Sequence, residues 1–326
     1  MKHLFIFSLS FLLITTGFFM AGCGQKQSKT VRVSGAWALY PLMTVWAEEY
    51  NSLHQKDGLV VKVAGGGSGK GVSDALNDQV DIGMLSRPPA AEELKQGMFP
   101  IAVVKDSVVA AINKNNPVID EIYKQGLSQQ DLENIFLKKV HTWGEVVGNT
   151  NGEEITVFGR SDASGAAKTW ANYLGDYTQN EIQHKADANF NGDLPLARAV
   201  KNEETAIGFN NLNFAYNVET GKFAHKIRPV PLDLNNNNQL ETSEDFYGDR
   251  NSFLKAVEIN RYPSPPARRI FVIARGPFEK KAQAFVNWIL TDGQQYVTPN
   301  GYVKLAPSTL KTQRKYLNQN IPVEKR

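Results

Sequence analysis

Short apolar runs alternate with longer amphipathic stretches along most of this chain. The runs that predict buried strands are residues 31–33, 59–63, 82–85, 101–104, 108–112, 155–158, 206–209, 227–230 and 269–274. Helical spacing of apolar residues links the first two runs, at Leu39, Leu42, Met43, Trp46, Tyr50 and Leu53. Further helices are predicted at residues 72–76, 128–136, 166–174 and 280–290, the second opening on a capping box. The alternation predicts an α/β fold in which helices cover the faces of a sheet.

The first 22 residues follow a different pattern. Lys2 precedes a mostly apolar run over residues 4–19, and small residues lead to Cys23, the only cysteine of the chain. This is typical of a bacterial lipoprotein signal peptide, although Met20 replaces the more usual Leu. We expect residues 1–22 to be removed, Cys23 to be lipidated and residues 23–30 to form a tether. The mature protein would be extracytoplasmic, anchored to a membrane in the periplasm or at the cell surface.

Composition narrows the possible functions. Removal of residues 1–22 leaves 304 of 326 residues, enough for two lobes, and the formal net charge falls from +3 to +2 with the loss of Lys2. This small charge and the scattered basic residues argue against a nucleic-acid partner. The five histidines are far apart in the chain, so a zinc hydrolase has little support. The chain has no G-x-S-x-G motif and no Walker A motif, because Gly71 follows Lys70 where Ser or Thr is required.

One segment combines a fixed cation, two hydroxyls and a glycine where a predicted strand gives way to a helix. Its sequence is Arg160-Ser161-Asp162-Ala163-Ser164-Gly165. The first N–H groups of a helix lack internal partners and the helix dipole adds positive potential, so this turn suits a small oxyanion. The alternative is an ordinary N-cap at Ser164, with Arg160 paired to Asp162 on the surface. A second glycine-rich turn between strand and helix, residues 64–71, favours the oxyanion site.

The order of several motifs resembles that of PstS-type phosphate-binding proteins, which serve ABC importers. The motifs are S-G-A-W-A-L-Y-P-L, W-A-E-E-Y, the glycine-rich turn, D-I-G-M-L-S-R-P, R-S-D-A-S-G, I-G-F and W-I-L-T-D-G-Q-Q-Y. The resemblance implies a type 2 periplasmic-binding-protein fold, with two α/β lobes joined by two crossing strands around a ligand cleft. Lobe 1 would comprise residues 31–110 and 270–326, and lobe 2 residues 111–269. The crossings would lie near residues 108–112 and 269–274.

The resemblance also implies a set of ligand contacts. These are the backbone turn Ala36, Trp37 and Ala38, then Ser68, Ser86, Arg160, Ser164, Gly165 and the N–H of Ala166. Asp162 would orient Arg160, and Arg87 would either bind the ligand or support the cleft wall. Several charge-assisted hydrogen bonds in a dry cleft would give about micromolar affinity.

Three positions depart from the family pattern. Threonine hydroxyls are replaced around Trp37 and at Ala166, and Ser86 stands in place of an aspartate that reads the proton of hydrogen phosphate. A buried aspartate accepts that proton but repels sulfate, so its loss removes an element of selectivity. Phosphate is the first expectation, with sulfate, molybdate and tungstate as alternatives.

A second candidate site is the asparagine-rich segment of residues 233–244, which fits the spacing of a twelve-residue EF-hand loop. Oxygen donors for Ca²⁺ would come from Asp233, Asn235, Asn237, the Gln239 carbonyl, Glu241 or a water, and Glu244. Asn238 replaces the usual glycine, and asparagine tolerates positive φ better than other residues. A polar surface turn is the alternative. Any bound calcium would be structural, and the protein requires no other cofactor.

These observations predict a non-enzymatic, lipid-anchored receptor, acting as a monomer, that captures inorganic phosphate by lobe closure. It would deliver the ion to the transmembrane subunits of an ABC importer. A secreted phosphate-ester hydrolase with Ser161 or Ser164 as nucleophile is a rival, but no histidine or lysine base lies at motif spacing. A sensory lipoprotein that has lost its ligand is another.

Overall fold

The computed structural model describes residues 29–325, so the predicted signal peptide, Cys23 and nearly all of the tether lie outside the described residues. The strands are β1 (Thr30–Gly35), β2 (Val60–Gly65), β3 (Ile82–Leu85), β4 (Met98–Asn113), β5 (Thr156–Arg160), β6 (Ala188–Phe190), β7 (Ala206–Asn211), β8 (Ile227–Pro229) and β9 (Ala267–Arg275). The helices of the first half are α1 (Tyr40–Leu53), α2 (Gly67–Leu76), α3 (Ala91–Lys95), α4 (Ile119–Gln125), α5 (Gln129–Phe136) and α6 (Trp143–Val147). Those of the second half are α7 (Gly165–Gly175), α8 (Gln179–Lys185), α9 (Asp193–Asn202), α10 (Arg250–Glu258), α11 (Lys280–Ile289) and α12 (Pro307–Asn318).

All strands belong to one sheet in the order β2-β1-β3-β9-β4-β7-β5-β6, with β8 also paired to β4. β1 is parallel to β2 and β3 at one end, and β5 is parallel to β6 and β7 at the other. The long strands β4 and β9 are antiparallel between these two groups. Two parallel α/β layers are thus joined through two shared strands, as the type 2 periplasmic-binding fold requires.

Strand β4 is longer than the sequence predicted. The polar residues Lys105, Asp106 and Ser107 separate the two predicted strands, yet the structure shows one strand of 16 residues. Its first part pairs with β9 up to Ser107, and its last part pairs with β7 from Val108 onwards. The strand continues because Asp106 and Ser107 are buried, and Asp106 is paired with Arg268 on β9. The predicted break is therefore the point where the chain passes between the two layers.

Two large hydrophobic cores lie on either side of this passage. One is built from residues 31–104 together with residues 270–317, and we call the body around it lobe 1. The other contains Val108 to Tyr262 with Ala267 and Val303, and we call its body lobe 2. The exact predicted boundaries at residues 110 and 270 stay a prediction.

The parallel strands bring several helix starts to the interface between the lobes. β1 leads through residues 36–39 into α1, β2 leads directly into α2, and β5 leads through residues 161–164 into α7. The predicted capping box of α5 is confirmed, because Ser128 and Asp131 exchange side-chain to backbone hydrogen bonds. The glycine-rich turn is shorter than expected, since Gly67 already begins α2 and only Gly66, with φ of 154°, stands before it. The first backbone N–H groups of these helices have no intrahelical acceptor, and they lie at the interface between the lobes.

Candidate functional site: a buried guanidinium between two helix starts

Arg160 ends β5 and is 2% exposed. Its Nε and Nη2 donate to the two carboxylate oxygens of Asp162, each at 2.8 Å, and its Nη1 lies 2.9 Å from Asp193. Burial lowers the pKa of Arg160, but Asp193 and Asp162 outweigh it and raise the pKa above its ordinary value. The guanidinium is therefore charged and fixed inside the protein, and the surface ion pair of the alternative interpretation is wrong.

The start of α7 is fastened beside this guanidinium. Ser164 is the N-cap, and its Oγ accepts the N–H of Ala167 at 3.2 Å. Gln179 holds the preceding turn, because its Nε2 donates to the Asp162 carbonyl at 2.6 Å and its Oε1 accepts the Ser164 N–H at 3.1 Å. The N–H groups of Gly165 and Ala166 precede the first intrahelical hydrogen bond. They are therefore available to an acceptor outside the helix.

Lobe 1 supplies two buried hydroxyls, one from Ser68 at the start of α2 and one from Ser86 directly after β3. Ser68 and Ser86 are 1% and 2% exposed, their Oγ atoms are 3.1 Å apart, and the Ser86 N–H donates to Ser68 Oγ at 3.1 Å. Gly165 of lobe 2 packs directly on both hydroxyls, since a Cβ there would overlap them. The Gly69 N–H donates to the Ala163 carbonyl at 3.1 Å across the interface. The two predicted anion sockets therefore meet at one place.

The turn after β1 borders the same place. Ala36 donates its N–H to the Met84 carbonyl at 3.0 Å, and the Ala38 carbonyl accepts from Tyr302 Oη at 2.6 Å. The Trp37 ring covers Gly65, where a Cβ would collide with the indole. Lobe 1 thus holds this turn rigidly against the end of β2.

Arg87 has a different environment from Arg160. Its Nη1 donates to Glu93 at 2.8 Å and to the Pro88 carbonyl at 3.1 Å, and its Nη2 also bonds Glu93. Burial raises the pKa of Glu93, but the Arg87 and Ala90 hydrogen bonds outweigh it and lower the pKa overall. In this structure Arg87 braces the start of α3, and the two roles expected for it, ligand contact or support of the cleft wall, stay predictions.

Sequence reasoning missed a buried polar group on the strands that join the lobes. Arg268 on β9 donates to Thr169 Oγ1 at 3.0 Å, to Asn211 Oδ1 and to Asp106 at 3.4 Å. Burial raises the pKa of Asp106 to about 6, although Arg268 opposes this shift. The only signal in the sequence was the polar interruption at residues 105–107 within an apolar run.

An open cavity lies beside this group. Its volume is about 530 Å³, and its walls include Pro88 of lobe 1, Thr169 and Asn172 of α7, and Arg268. Ser68, Ser86, Arg160 and Ser164 do not line it. These four predicted anion contacts are buried and lie outside this cavity, and their role as ligand contacts stays a prediction.

The loop of residues 233–244 is folded around its two end carboxylates. Asp233 accepts the N–H groups of Asn237 at 3.2 Å and Asn238 at 2.8 Å, and Glu244 accepts the Leu234 N–H at 2.8 Å. Asp233 and Glu244 are each 3% exposed, and Asn238 adopts a φ of 56°, as its position in the pattern requires. The other predicted donors in this loop are exposed: Asn235, Asn237, Gln239 and Glu241.

A calcium site in this loop stays a prediction. Over residues 29–325, no group of three or more His, Cys, Asp or Glu side chains is arranged to hold a metal. The predicted donor set relies instead on side-chain amides and a carbonyl, with Asp233 and Glu244 as the buried carboxylates. Oxygen ligands of this mixed kind are compatible with Ca²⁺.

Comparison with known proteins agrees with this architecture. Residues 23–293 match the family model of the PBP superfamily domain. The phosphate-binding protein PstS of Xylella fastidiosa is 24% identical over 321 residues, covering 88% of this chain and 85% of the relative. PstS of Pseudomonas aeruginosa is 26% identical over 294 residues, covering 83% and 81%.

Solved structures show the same fold. A putative phosphate ABC transporter substrate-binding protein of Clostridium perfringens, solved with bound phosphate, superposes with a TM-score of 0.68 at 21% identity and covers 85% of this chain and 100% of its own. A phosphate transport receptor of Vibrio cholerae gives a TM-score of 0.61 at 19% identity, with 84% and 100% covered.

The architecture and the interlobe site define a two-lobed solute-binding protein of type 2 periplasmic-binding fold, as the sequence predicted. The chain belongs to the PBP superfamily, and its similarity to PstS-type phosphate-binding proteins is confirmed.

Gly165→Ala should weaken the contact between the lobes. The added methyl group would overlap the hydroxyls of Ser68 and Ser86 and approach the Ser86 carbonyl to 2.8 Å. Overpacking of this kind costs about 1–3 kcal/mol, which denaturant unfolding would measure. Gly152→Ala is the matched control, because a Cβ there has no neighbour within 4 Å in the described part of the chain. Equal unfolding free energies for the two variants would contradict the close contact.

Calcium should raise the melting temperature of the parent protein if the loop of residues 233–244 binds it. Glu244→Gln keeps an acceptor for the Leu234 N–H but removes a ligand charge, so its calcium-dependent shift should be smaller. At a calcium concentration 100 times the Kd, binding raises the free energy of unfolding by about 2.7 kcal/mol. Asp245→Asn, at an exposed position next to the loop, is the charge-matched control. Absence of a calcium-dependent shift in the parent would end the hypothesis.

Proposed function

We propose that this protein binds inorganic phosphate between its lobes and delivers it to an ABC importer. The observation that carries the proposal is the buried Arg160 guanidinium beside the start of α7, where Gly165 packs on the hydroxyls of Ser68, at the start of α2, and Ser86, directly after β3. A tetrahedral oxyanion suits these groups because it accepts many hydrogen bonds in several directions and carries charge that Arg160 and two helix dipoles stabilise.

Each predicted contact has a specific chemical part. Arg160 provides the charge, Ser68, Ser86 and Ser164 provide hydroxyl donors, and Gly165 and Ala166 provide amides. Both carboxylate oxygens of Asp162 accept hydrogen bonds from Arg160, and one of them also accepts the Gly192 N–H. Asp162 therefore orients the guanidinium and has little capacity to bind an anion. The protein acts by binding and lobe closure, without catalysis. Its relatives, by their names, are phosphate-binding proteins.

The leader supports an extracytoplasmic location. We propose that residues 1–22 direct export and that Cys23 carries a lipid that holds the protein, as a monomer, beside the importer. None of the helices within residues 29–325 has the length and apolar content of a membrane span.

Isothermal titration of the purified protein with phosphate, sulfate and molybdate tests the proposed function. Arg160→Ala should lose at least about tenfold in phosphate affinity, which is about 1.4 kcal/mol. Arg160→Lys keeps the charge without the planar fork and should also lose affinity. Arg160→Ala leaves buried carboxylates unpaired and can misfold. Arg160→Lys keeps a cation beside them, so it tests the proposal even if the alanine variant does not fold.

Arg275→Ala is the matched control for these variants. Arg275 makes an exposed ion pair with Asp78 at 3.0 Å and is not among the predicted ligand contacts, so its loss should not change phosphate affinity. Tighter binding of sulfate or molybdate than phosphate would assign the site to a different oxyanion. Absence of binding for all three anions would refute the proposal.

A further inference from the structure

A group of basic residues lines the open cavity beside the strands that join the lobes. The cavity has a volume of about 530 Å³, within the range of about 300–1,000 Å³ that is typical of small-molecule sites. Lys105, Arg268 and Arg269 belong to its wall, and none of the described residues in that wall is acidic. The wall shares no residue with the predicted anion contacts between the lobes. The cavity is therefore a separate place at which positive charge meets solvent.

The three cations differ in how their charge is compensated. Arg268 is 5% exposed, and it donates to Asp106 and Asn211. Within residues 29–325, neither Lys105 nor Arg269 takes part in an ion pair. The Lys105 Nζ donates instead to the neutral Asn260 Oδ1, at 3.4 Å. Lys105 and Arg269 thus bring two uncompensated positive charges to the cavity.

Strand pairing places these two charges side by side. Lys105 on β4 is the register partner of Arg269 on β9. Both the N–H and the carbonyl of Lys105 bond to Val303, at 2.8 and 3.0 Å, so Lys105 and Arg269 form a non-hydrogen-bonded pair of the antiparallel ladder. In such a pair the Cα atoms are about 4.5 Å apart and the two side chains leave the same face of the sheet.

The juxtaposition of Lys105 and Arg269 favours an anionic ligand. Like charges directly opposite each other on a sheet are destabilising. A dianionic group bound between the two side chains would replace this repulsion with two attractions. The planar fork of an arginine can bond two oxygens of one phosphate, and a lysine adds a point charge. Because both cations arise from one register position, they suit one compact dianionic head better than two separated carboxylates.

The rest of the wall suits an organic group attached to that head. Phe271 lies two residues beyond Arg269 on β9, so its side chain leaves the same face of the strand, and it is only half-buried. Pro88 adds exposed apolar surface, while the side-chain amides of Asn172 and Asn260 add hydrogen-bonding groups. An aromatic or aliphatic group can therefore pack on Phe271 while the head contacts the cations.

We propose that this cavity is a second ligand site, which binds a small phosphate monoester. The phosphate lies between Lys105 and Arg269, and the organic group lies against Phe271. The inference goes beyond the proposed function and does not depend on it, because the two sites share no residue. The ester is bound unchanged, and no bond to phosphorus is made or broken.

Isothermal titration of the protein with phenyl phosphate tests the second site. The parent should bind this ester, and Arg269→Gln should lower its affinity at least about tenfold, because a charge-assisted hydrogen bond is lost. Lys105→Gln should have an effect of the same direction. Arg269 is exposed, so its variant should fold. Arg275→Gln is the matched control, since it changes an exposed arginine of the same strand that lies outside the cavity wall. A parent that does not bind phenyl phosphate, or unchanged affinity in both cavity variants, would overturn the inference.

Arg160→Lys separates the second site from the interlobe site. It should leave the affinity for phenyl phosphate unchanged, whatever it does to inorganic phosphate. If Arg160→Lys weakens the ester and Arg269→Gln does not, the ester occupies the interlobe site and the inference fails. Loss of inorganic phosphate binding alone would bear on the proposed function and not on this cavity.

Two further probes test the two parts of the proposed ligand. Methyl phosphate keeps the dianion but lacks the ring, and benzoate keeps the ring but carries a single charge. Both should bind more weakly than phenyl phosphate. Methyl phosphate of equal affinity would overturn the contact with Phe271, and benzoate of equal affinity would overturn the requirement for a dianion between Lys105 and Arg269.

Discussion

The burial of one guanidinium is the constraint on which the site depends. A charge at 2% exposure is stable only when carboxylates and hydrogen bonds replace its lost water. For Arg160 the bidentate contact with Asp162 fixes the plane of the guanidinium, and Gln179 fixes the turn that carries Asp162. The position of α7, and with it the direction of its first amides, follows from the need to satisfy this one cation.

Small residues then allow the two lobes to approach this cation from opposite sides. Gly165 lies against the Ser68 and Ser86 hydroxyls, and Gly69 donates a hydrogen bond across the interface to Ala163. A side chain at either glycine would hold the helix starts apart and admit water between them. Exclusion of water strengthens hydrogen bonds inside a protein, so in the proposed site the absence of side chains at these two glycines would matter as directly as the hydroxyls.

The sequence predicted the α/β class, most of the strands and the convergence of two helix starts, because each depends on local patterns of a few residues. Hydrophobic periodicity alone predicted two strands where the structure has the single strand β4. A local pattern contains no information that Asp106 is buried opposite Arg268, 162 residues away. Asp193 and Gln179 were missed for the same reason. Neither belongs to a motif, and only the folded chain brings them to residues 160–164.

Strands β3, β4 and β9 also determine the order in which the lobes can form. The core of lobe 2 comes almost entirely from one continuous stretch of chain, whereas lobe 1 needs β9 inserted between β3 and β4. The Trp46 indole, in the first helix, donates to the carbonyl of Gly293, 247 residues later. Contacts so distant in sequence form slowly, because the entropy cost of closing a long loop comes before the stabilisation by the contact. Lobe 2 can therefore fold while the chain is still emerging. The incomplete lobe 1 exposes an open sheet edge until nearly the whole polypeptide is present, which makes it the part most exposed to aggregation during folding.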